Sequence, residues 1–125
     1  MRIEFNSETP IFYQLAEYLE KLILQGDIKE GEMLPPMRSI AADLEINHQT
    51  VLKAFRILSD RGLTEKIRGT GLKISGNARK KIIKSKQKQY LNEELPEAIN
   101  KGLLLDISRK DLMKHIEKII RENEK

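Results

Sequence analysis

Residues 47 to 50 read Asn-His-Gln-Thr, and each of these four side chains can form hydrogen bonds. The segment directly precedes apolar residues that recur at i, i+4 and i+7, the spacing of one helix face: Val51, Phe55 and Leu58. Asn47 is therefore predicted to cap the start of a helix, because its side chain can accept a backbone N–H there. His48 and Gln49 then project away from the buried face of the first turn. A polar turn of this kind is suited to hydrogen bonding with a partner outside the chain.

The edges of DNA base pairs are one such partner. Each base pair presents its own pattern of donors and acceptors in the major groove, and Gln pairs with adenine through two hydrogen bonds. His and Thr side chains reach guanine acceptors or phosphates, and the free N–H groups of a helix N-terminus favour an anion. We therefore predict DNA contacts at Asn47, His48, Gln49 and Thr50. Asn47 is expected to serve as a cap more than as a base reader, since its oxygen is needed by its own helix.

Chemistry other than binding has little support in the sequence. The chain contains no Cys, which excludes disulfides, thiol catalysis and Cys-ligated zinc. The two His residues, His48 and His115, fall on different predicted helices without a carboxylate cluster, so no metal site is predicted. There is no P-loop and no G-x-S-x-G motif, and Gly69-Thr70-Gly71 lies in a predicted hairpin rather than between a strand and a helix. We expect neither an enzyme nor a bound cofactor.

The length and the start of the chain limit the class of protein further. With 125 residues, the sequence fits one ordinary domain or a small domain with an accessory piece. Its first residues lack the apolar centre of a signal peptide, and its uncharged apolar runs are only a few residues long. A cytoplasmic protein without a membrane association is expected.

The elements that must position residues 47–50 are predicted from periodicity and from turn residues. A first helix is expected to run from Pro10 to Gly26, with Thr9 as a candidate cap. Its predicted buried stripe consists of Ile11, Leu15, Leu19, Leu22 and Ile23. A connector with a brief strand at Met33 and Leu34 leads to a short helix that Pro36 opens.

The third helix carries residues 47–50 and ends at Gly62, and two β-like runs then enclose the turn Arg68-Gly69-Thr70-Gly71. Helix, short helix, turn, helix and hairpin is the order of a winged helix-turn-helix, in which the second helix of the pair lies in the DNA major groove. The predicted fold class is mainly α with a small β-hairpin. We expect residues 1–76 to form the winged helix-turn-helix DNA-binding domain and residues 77–125 to form a C-terminal helical dimerisation segment, whose role in dimerisation is implied by the resemblance described below.

The second part is helical in pattern and basic. Pro96 is expected to kink or restart a helix there, and Ser108 with Asp111 is expected to cap the last one. Residues 1–76 hold 10 Lys and Arg against 11 Asp and Glu, whereas residues 77–125 hold 13 against 8. The basic stripe from Arg79 to Lys88 is either a solvated helix face or a surface for phosphates that flank the binding site.

The near-neutral charge of residues 1–76 leaves an alternative function open, a winged helix that binds a protein rather than DNA. Aromatic anchors at residues 47–50 would favour that alternative, and none is present.

Residues 10–75 resemble the N-terminal domain of GntR-type bacterial transcription regulators. The resemblance is carried by Pro10 and Gln14, by the G-x-x-L-P-x-x-R-x-I-A box that begins at Gly31, and by the wing sequence R-G-T-G. It implies a winged helix that binds operator DNA as a homodimer. The residues that it places at the DNA are Arg38 of the box, residues 47–50, Lys53, and Arg68, Gly69 and Thr70 of the wing.

Two positions depart from the family pattern, and residues 77–125 indicate which subgroup of the family the chain resembles. His48 stands where Arg is usual and Pro36 stands where Ser is frequent, and a neutral imidazole attracts phosphate less than the permanent charge of Arg does. The 49 residues from 77 to 125 cannot hold the large sensor domains of many relatives, so no dedicated small-molecule domain is expected. They resemble the helical pair of the YtrA-type subgroup, which implies a repressor whose two-fold symmetry matches an inverted-repeat operator with half-sites about 34 Å apart.

Overall fold

A computed structural model describes residues 1–124 of the chain. The helices and strands, in chain order, are α1 (Ile11–Gln25), α2 (Met37–Leu44), α3 (His48–Asp60), β1 (Thr64–Ile67), β2 (Gly71–Ile74), α4 (Ala78–Gln89), a π-helical segment (Tyr90–Glu94), α5 (Leu95–Leu104) and α6 (Arg109–Asn123). This is the predicted winged helix-turn-helix followed by C-terminal helices. Within residues 1–124, no helix is both long and apolar enough to cross a membrane.

The contacts divide the chain into two compact units, Met1–Lys84 and Ser85–Lys125. The core of the first unit takes side chains from α1, α2, α3, the hairpin and the start of α4: Leu15, Leu19, Ile23, Ile40, Val51, Leu58, Leu63, Ile74, Ala78 and Ile82. Each large aliphatic side chain buried in this way contributes roughly 1.5–3 kcal/mol. Because Ala78 and Ile82 belong to this core, contacts of the first unit extend past residue 76. The domain boundary between residues 76 and 77 stays a prediction.

The start of α1 differs from the expectation in two respects. Thr9 does not cap the helix, because Pro10 is the N-cap and no side chain accepts a capping hydrogen bond there. Ile11 is 41% exposed and lies outside the buried stripe. The segment before the helix is held instead by Gln14, whose amide donates to the carbonyls of Asn6 and Thr9 at 2.9 and 2.7 Å. The Gln14 carbonyl also accepts the backbone N–H of Asn6 at 3.0 Å, so the side chain fixes the entry of the chain into α1.

The wing is a two-stranded antiparallel hairpin that the box segment extends. Its register runs from Thr64↔Ile74 to Ile67↔Gly71. The predicted short strand at Met33 and Leu34 is present as an isolated bridge from Met33 to Lys73 and as a 2.8 Å hydrogen bond from the Leu34 N–H to the Leu72 carbonyl. Residues immediately before α2 are therefore joined to the same strand that forms the wing.

The second unit contains little buried surface. Gly102 is its single buried residue within the part of the chain that the structure describes, and a Cβ there would lie 3.1 Å from Leu112 Cδ2, so α5 and α6 approach closely at this point. Ser108 caps α6 as predicted, accepting the Asp111 N–H at 3.1 Å. Pro96 lies in the first turn of α5, where its missing N–H is tolerated, and the π-helical segment precedes it.

Candidate nucleic-acid interface

The first turn of α3 presents the polar residues that the sequence singled out. Asn47 is the N-cap, and its Oδ1 accepts the Gln49 N–H at 2.7 Å. This confirms the predicted cap and leaves the Asn47 amide NH2 for an external partner. His48 and Gln49 are exposed and Thr50 is half-buried. Neither the His48 ring nor the side-chain amide of Gln49 makes a hydrogen bond within residues 1–124, so both are available to base edges.

Arg38 lies in the first turn of α2, directly after the Pro35-Pro36 pair that keeps the chain extended. Its side chain is exposed and has no ion-pair partner in the described part of the chain. Glu45 then ends α2 in the left-handed conformation at φ 53, a sharp reversal that leads through Ile46 to the cap of α3. The two helices of the helix-turn-helix are thus joined by two residues between Leu44 and Asn47.

Lys53 lies one turn along α3 from the polar segment. Its Nζ is 5.4 Å from the ring centroid of Phe12 in α1, within the range of a cation–π interaction. The lysine is exposed and Phe12 is half-buried, so the ring limits the directions that the ammonium group can take without removing it from water.

The wing tip places Arg68, Gly69 and Thr70 in solvent. Gly69 has φ 78, a left-handed conformation that a side chain would strain. The Thr70 hydroxyl donates to the Ile67 carbonyl at 3.3 Å, which stabilises the turn. That hydroxyl can therefore only accept a hydrogen bond from an external partner. Arg68 has no intrachain partner among residues 1–124 and is the cation of the wing tip.

A half-open groove of about 430 Å³ brings the wing next to the middle of α3 and to the start of α2. Gly69 and Thr70 line it on the wing side, and Pro36 and Met37 line it beside Arg38. Residues 48 and 49 lie about two turns from the mid-helix part of α3, roughly 10 Å along its axis. Of the predicted DNA residues, Gly69 and Thr70 line this groove, and Arg38 directly follows its lining residue Met37 in the sequence.

Two further cations, Arg56 and Lys66, line the same groove. Neither was among the predicted DNA-contact residues. Helical periodicity does put Arg56 on the polar face of α3, eight positions after His48, so a signal for it was present in the sequence. Lys66 had no comparable signal, because only the pairing of β1 with β2 brings it beside α3.

Several acids of the first unit are engaged within the chain. Arg61 forms ion pairs with Glu17, at 3.0 Å, and with the buried Glu20. Burial lowers the pKa of Arg61, but its hydrogen bond with Glu17 and the charges of both carboxylates outweigh that effect and raise the pKa above its ordinary value. Glu65 pairs with Lys73 at 3.6 Å across the hairpin. Arg38, Arg56, Lys66 and Arg68 are exposed and have no such partner within residues 1–124, so the near-neutral count of charges does not describe the cations that face outward.

The basic stripe divides into two classes. Arg79 donates from Nε to the Leu24 carbonyl at 3.2 Å, and Lys81 donates from Nζ to the Gly62 carbonyl at 3.0 Å. These two cations hold the start of α4 to the first unit. Lys80 and Lys84 are exposed, stand four residues apart on α4, and have no partner among the described residues.

Comparison with known proteins identifies the family. Residues 13–74 match the family model described as bacterial regulatory proteins, gntR family. The HTH-type transcriptional repressor YtrA of Bacillus subtilis is 34% identical over 99 residues, which cover 79% of this chain and 75% of that protein. The chain belongs to the gntR family.

Solved structures of other proteins share the fold. A transcriptional regulator from Oenococcus oeni superimposes with a TM-score of 0.82 at 22% identity, over 96% of this chain and 98% of its own. The DNA-binding domain of AraR, solved in complex with operator ORX1, superimposes with a TM-score of 0.55 at 21% identity, over 60% of this chain and 96% of its own. The predicted function class is confirmed: this gntR-family protein is a DNA-binding transcription regulator.

Proposed function

We propose that this protein is a cytoplasmic transcriptional repressor that binds an inverted-repeat operator as a homodimer. In this proposal Gln49 and His48 read base edges, Asn47 and Thr50 support the first turn of α3, and Arg38 and Lys53 bind the phosphate backbone or a guanine edge. Arg68, Gly69 and Thr70 enter the neighbouring groove from the wing. The name of the relative YtrA, a transcriptional repressor, supports the sign of regulation.

One observation carries the proposal. The side chains of Arg38, His48, Gln49 and Arg68 are exposed and have no hydrogen-bond or ion-pair partner within residues 1–124. Exposed donors aligned with a helix N-terminus match what phosphates and base edges accept. AraR, a protein of the same fold, binds its operator in the solved complex, which supports this use of the fold.

The second unit supports the homodimer. It leaves large apolar side chains in water: Leu91 at 58%, Leu104 at 84%, Leu105 at 64%, Met113 at 57% and Ile119 at 57% exposed. Apolar surface of this extent in a segment of about 40 residues is unfavourable without a partner. Burial against a second copy by two-fold symmetry satisfies both segments with one interface.

The DNA contacts are tested by measuring how the protein binds duplex DNA from the promoter of its own operon. Fluorescence anisotropy at several salt concentrations gives the affinity. Gln49→Ala is expected to weaken operator binding by about 1–3 kcal/mol, roughly 5- to 150-fold, and to relax the base preference at one position of each half-site. The matched control is Gln25→Ala, which removes an exposed Gln that is the last residue of α1 and is not among the predicted DNA contacts. Equal affinity of the two variants would refute the assignment of Gln49.

Sedimentation velocity tests the homodimer separately. The wild-type protein is expected at twice the chain mass of 14.5 kDa. Ile119→Glu should shift it toward the monomer and weaken operator binding, because a charge would have to enter the apolar interface. Glu117→Gln, two residues away on α6 and exposed, is the control. A wild-type monomer at micromolar concentration would refute the dimer without affecting the DNA contacts of the first unit.

A further inference from the structure

The groove between α3 and the wing is lined in a way that DNA binding does not require. Its lining is mostly apolar and includes Leu34, Pro35, Leu52, Phe55, Ile67 and Leu72. Protein surfaces that face DNA are more polar and more positively charged than other interfaces. Leu52 in particular projects from the same helix face as the proposed DNA contacts, where a polar side chain would serve better. An apolar groove at this place therefore needs its own explanation.

Two cations stand at this apolar groove. Arg56 lies on α3 and Lys66 on β1, both are exposed, and neither has an ion-pair or hydrogen-bond partner in the part of the chain that the structure describes. The hydroxyl groups nearby are satisfied, because Ser59 Oγ and Thr64 Oγ1 lie 2.9 Å apart and bond each other. The groove thus offers apolar walls and two free positive charges, with no free carboxylate among its lining residues.

We propose that this groove binds a small single-chain amphiphilic carboxylate that is free in solution. The guanidinium of Arg56 and the ammonium of Lys66 hold the carboxylate, and Leu52, Leu72 and Ile67 cover the hydrocarbon chain. A volume of about 430 Å³ lies within the range of small-molecule sites, which are mostly apolar with a few polar groups that fix orientation. Charge complementarity selects an anion, since an arginine pairs with a carboxylate through two parallel hydrogen bonds.

Occupation of the groove is expected to oppose operator binding. Gly69 and Thr70 line the same groove and belong to the proposed DNA contacts, so a ligand beside them occupies space next to the DNA backbone. Its carboxylate also neutralises two cations that would otherwise attract phosphates. This consequence rests on the proposed function, whereas binding of the ligand itself does not.

Methyl-detected NMR of the full chain with decanoate, below its micellar concentration and without DNA, tests the site. Decanoate should shift the methyl signals of Leu34, Leu52 and Leu72 but not those of Leu15 and Leu19, which are buried in the core. Affinity should fall up to about fourfold for each methylene removed in octanoate and hexanoate. Decanol, which lacks the charge, should bind at least tenfold more weakly.

Variants separate the ligand site from general surface binding. Arg56→Gln with Lys66→Gln should weaken decanoate at least tenfold, while Lys21→Gln with Lys29→Gln, two exposed lysines that do not line the groove, should not. Shifts confined to residues 85–124, equal binding of decanol, or no shift at all would overturn the proposal. In a parallel titration, saturating decanoate should reduce wild-type operator affinity at least fivefold. Unchanged affinity would overturn the competition, and absent operator binding without decanoate would instead count against the proposed function.

Discussion

The cap of α3 allows structural support and base reading to be separated at one residue. Asn47 Oδ1 accepts the Gln49 N–H at 2.7 Å, and the residue is exposed, so its NH2 group remains open to an external partner. Asn47→Ala removes both functions. Asn47→Ser keeps an oxygen that can accept the same N–H, because Ser is among the preferred N-cap residues, but it removes the amide NH2 that a base-reading role would require.

The expected magnitudes follow from the single hydrogen bond at the cap. Loss of an N-cap side chain costs about 1 kcal/mol, and for a unit the size of Met1–Lys84 this corresponds to a melting temperature about 4–8 °C lower. Asn47→Ala should show this loss, and Asn47→Ser should stay within about 0.5 kcal/mol of the wild-type protein. If Asn47 acts as a cap alone, the operator affinity of Asn47→Ser should remain within about threefold of wild type.

Thermal unfolding followed by circular dichroism gives the stability, and anisotropy with operator DNA gives the affinity of the same samples. A Ser variant with unchanged melting temperature and an affinity tenfold or more below wild type would refute the cap-only role and establish Asn47 as a base reader. An Ala variant as stable as the wild-type protein would refute the energetic contribution of the cap.

Two further predictions concern cations. If Phe12 positions Lys53 for a phosphate, Phe12→Leu should weaken operator binding about two- to fivefold, because a cation–π interaction at an exposed site contributes about 0.5–1 kcal/mol. Lys53→Met should reduce the magnitude of the salt-dependence slope by about 0.9. In a double-mutant cycle Phe12→Leu should then have no effect on binding in the Lys53→Met background; a persistent effect would show that Phe12 acts through packing alone. Charge reversal at Lys80 and Lys84 should reduce the magnitude of the salt-dependence slope of operator binding if these exposed lysines contact flanking phosphates. Lys81→Gln should instead lower the melting temperature and leave that slope unchanged, because Lys81 donates to the Gly62 carbonyl. An unchanged slope after charge reversal would leave Lys80 and Lys84 as a solvated helix face.

Local patterns in the sequence predicted the elements that depend on neighbouring residues. Val51, Phe55 and Leu58 are buried on one face of α3, and Asn47 and Ser108 cap their helices, because helix periodicity and capping are set within a few residues. The left-handed stop at Gly26 was predictable for the same reason. The polar start of α3 stood out since these local rules left its side chains unused.

Features that join distant parts of the chain were not predictable in this way. Gln14 is a recognisable position of the family motif, but its bonds to Asn6 and Thr9 follow only from the folded path. Thr9 has the residue type of a cap and lost that position to Pro10. Lys66 lines the groove because β1 pairs with β2. The change in composition after Gly76 gave no sign that Ile82 would be buried in the core of the first unit.

The cations of this chain illustrate why net charge is a weak guide to a polyanion site. Arg61 and Arg79 have the same side chain as Arg38 and Arg68, yet the first two are bonded to carboxylates or a backbone carbonyl and the last two are exposed without such partners. A carboxylate that is already paired repels a nearby phosphate less than a free one, so each ion pair removes one positive and one negative charge from the potential that DNA meets. The charge balance of residues 1–76 therefore sums groups that act inside the fold with groups that face outward. Affinity for DNA depends on the second set, to which the exposed side chains of Arg38 and Arg68 belong.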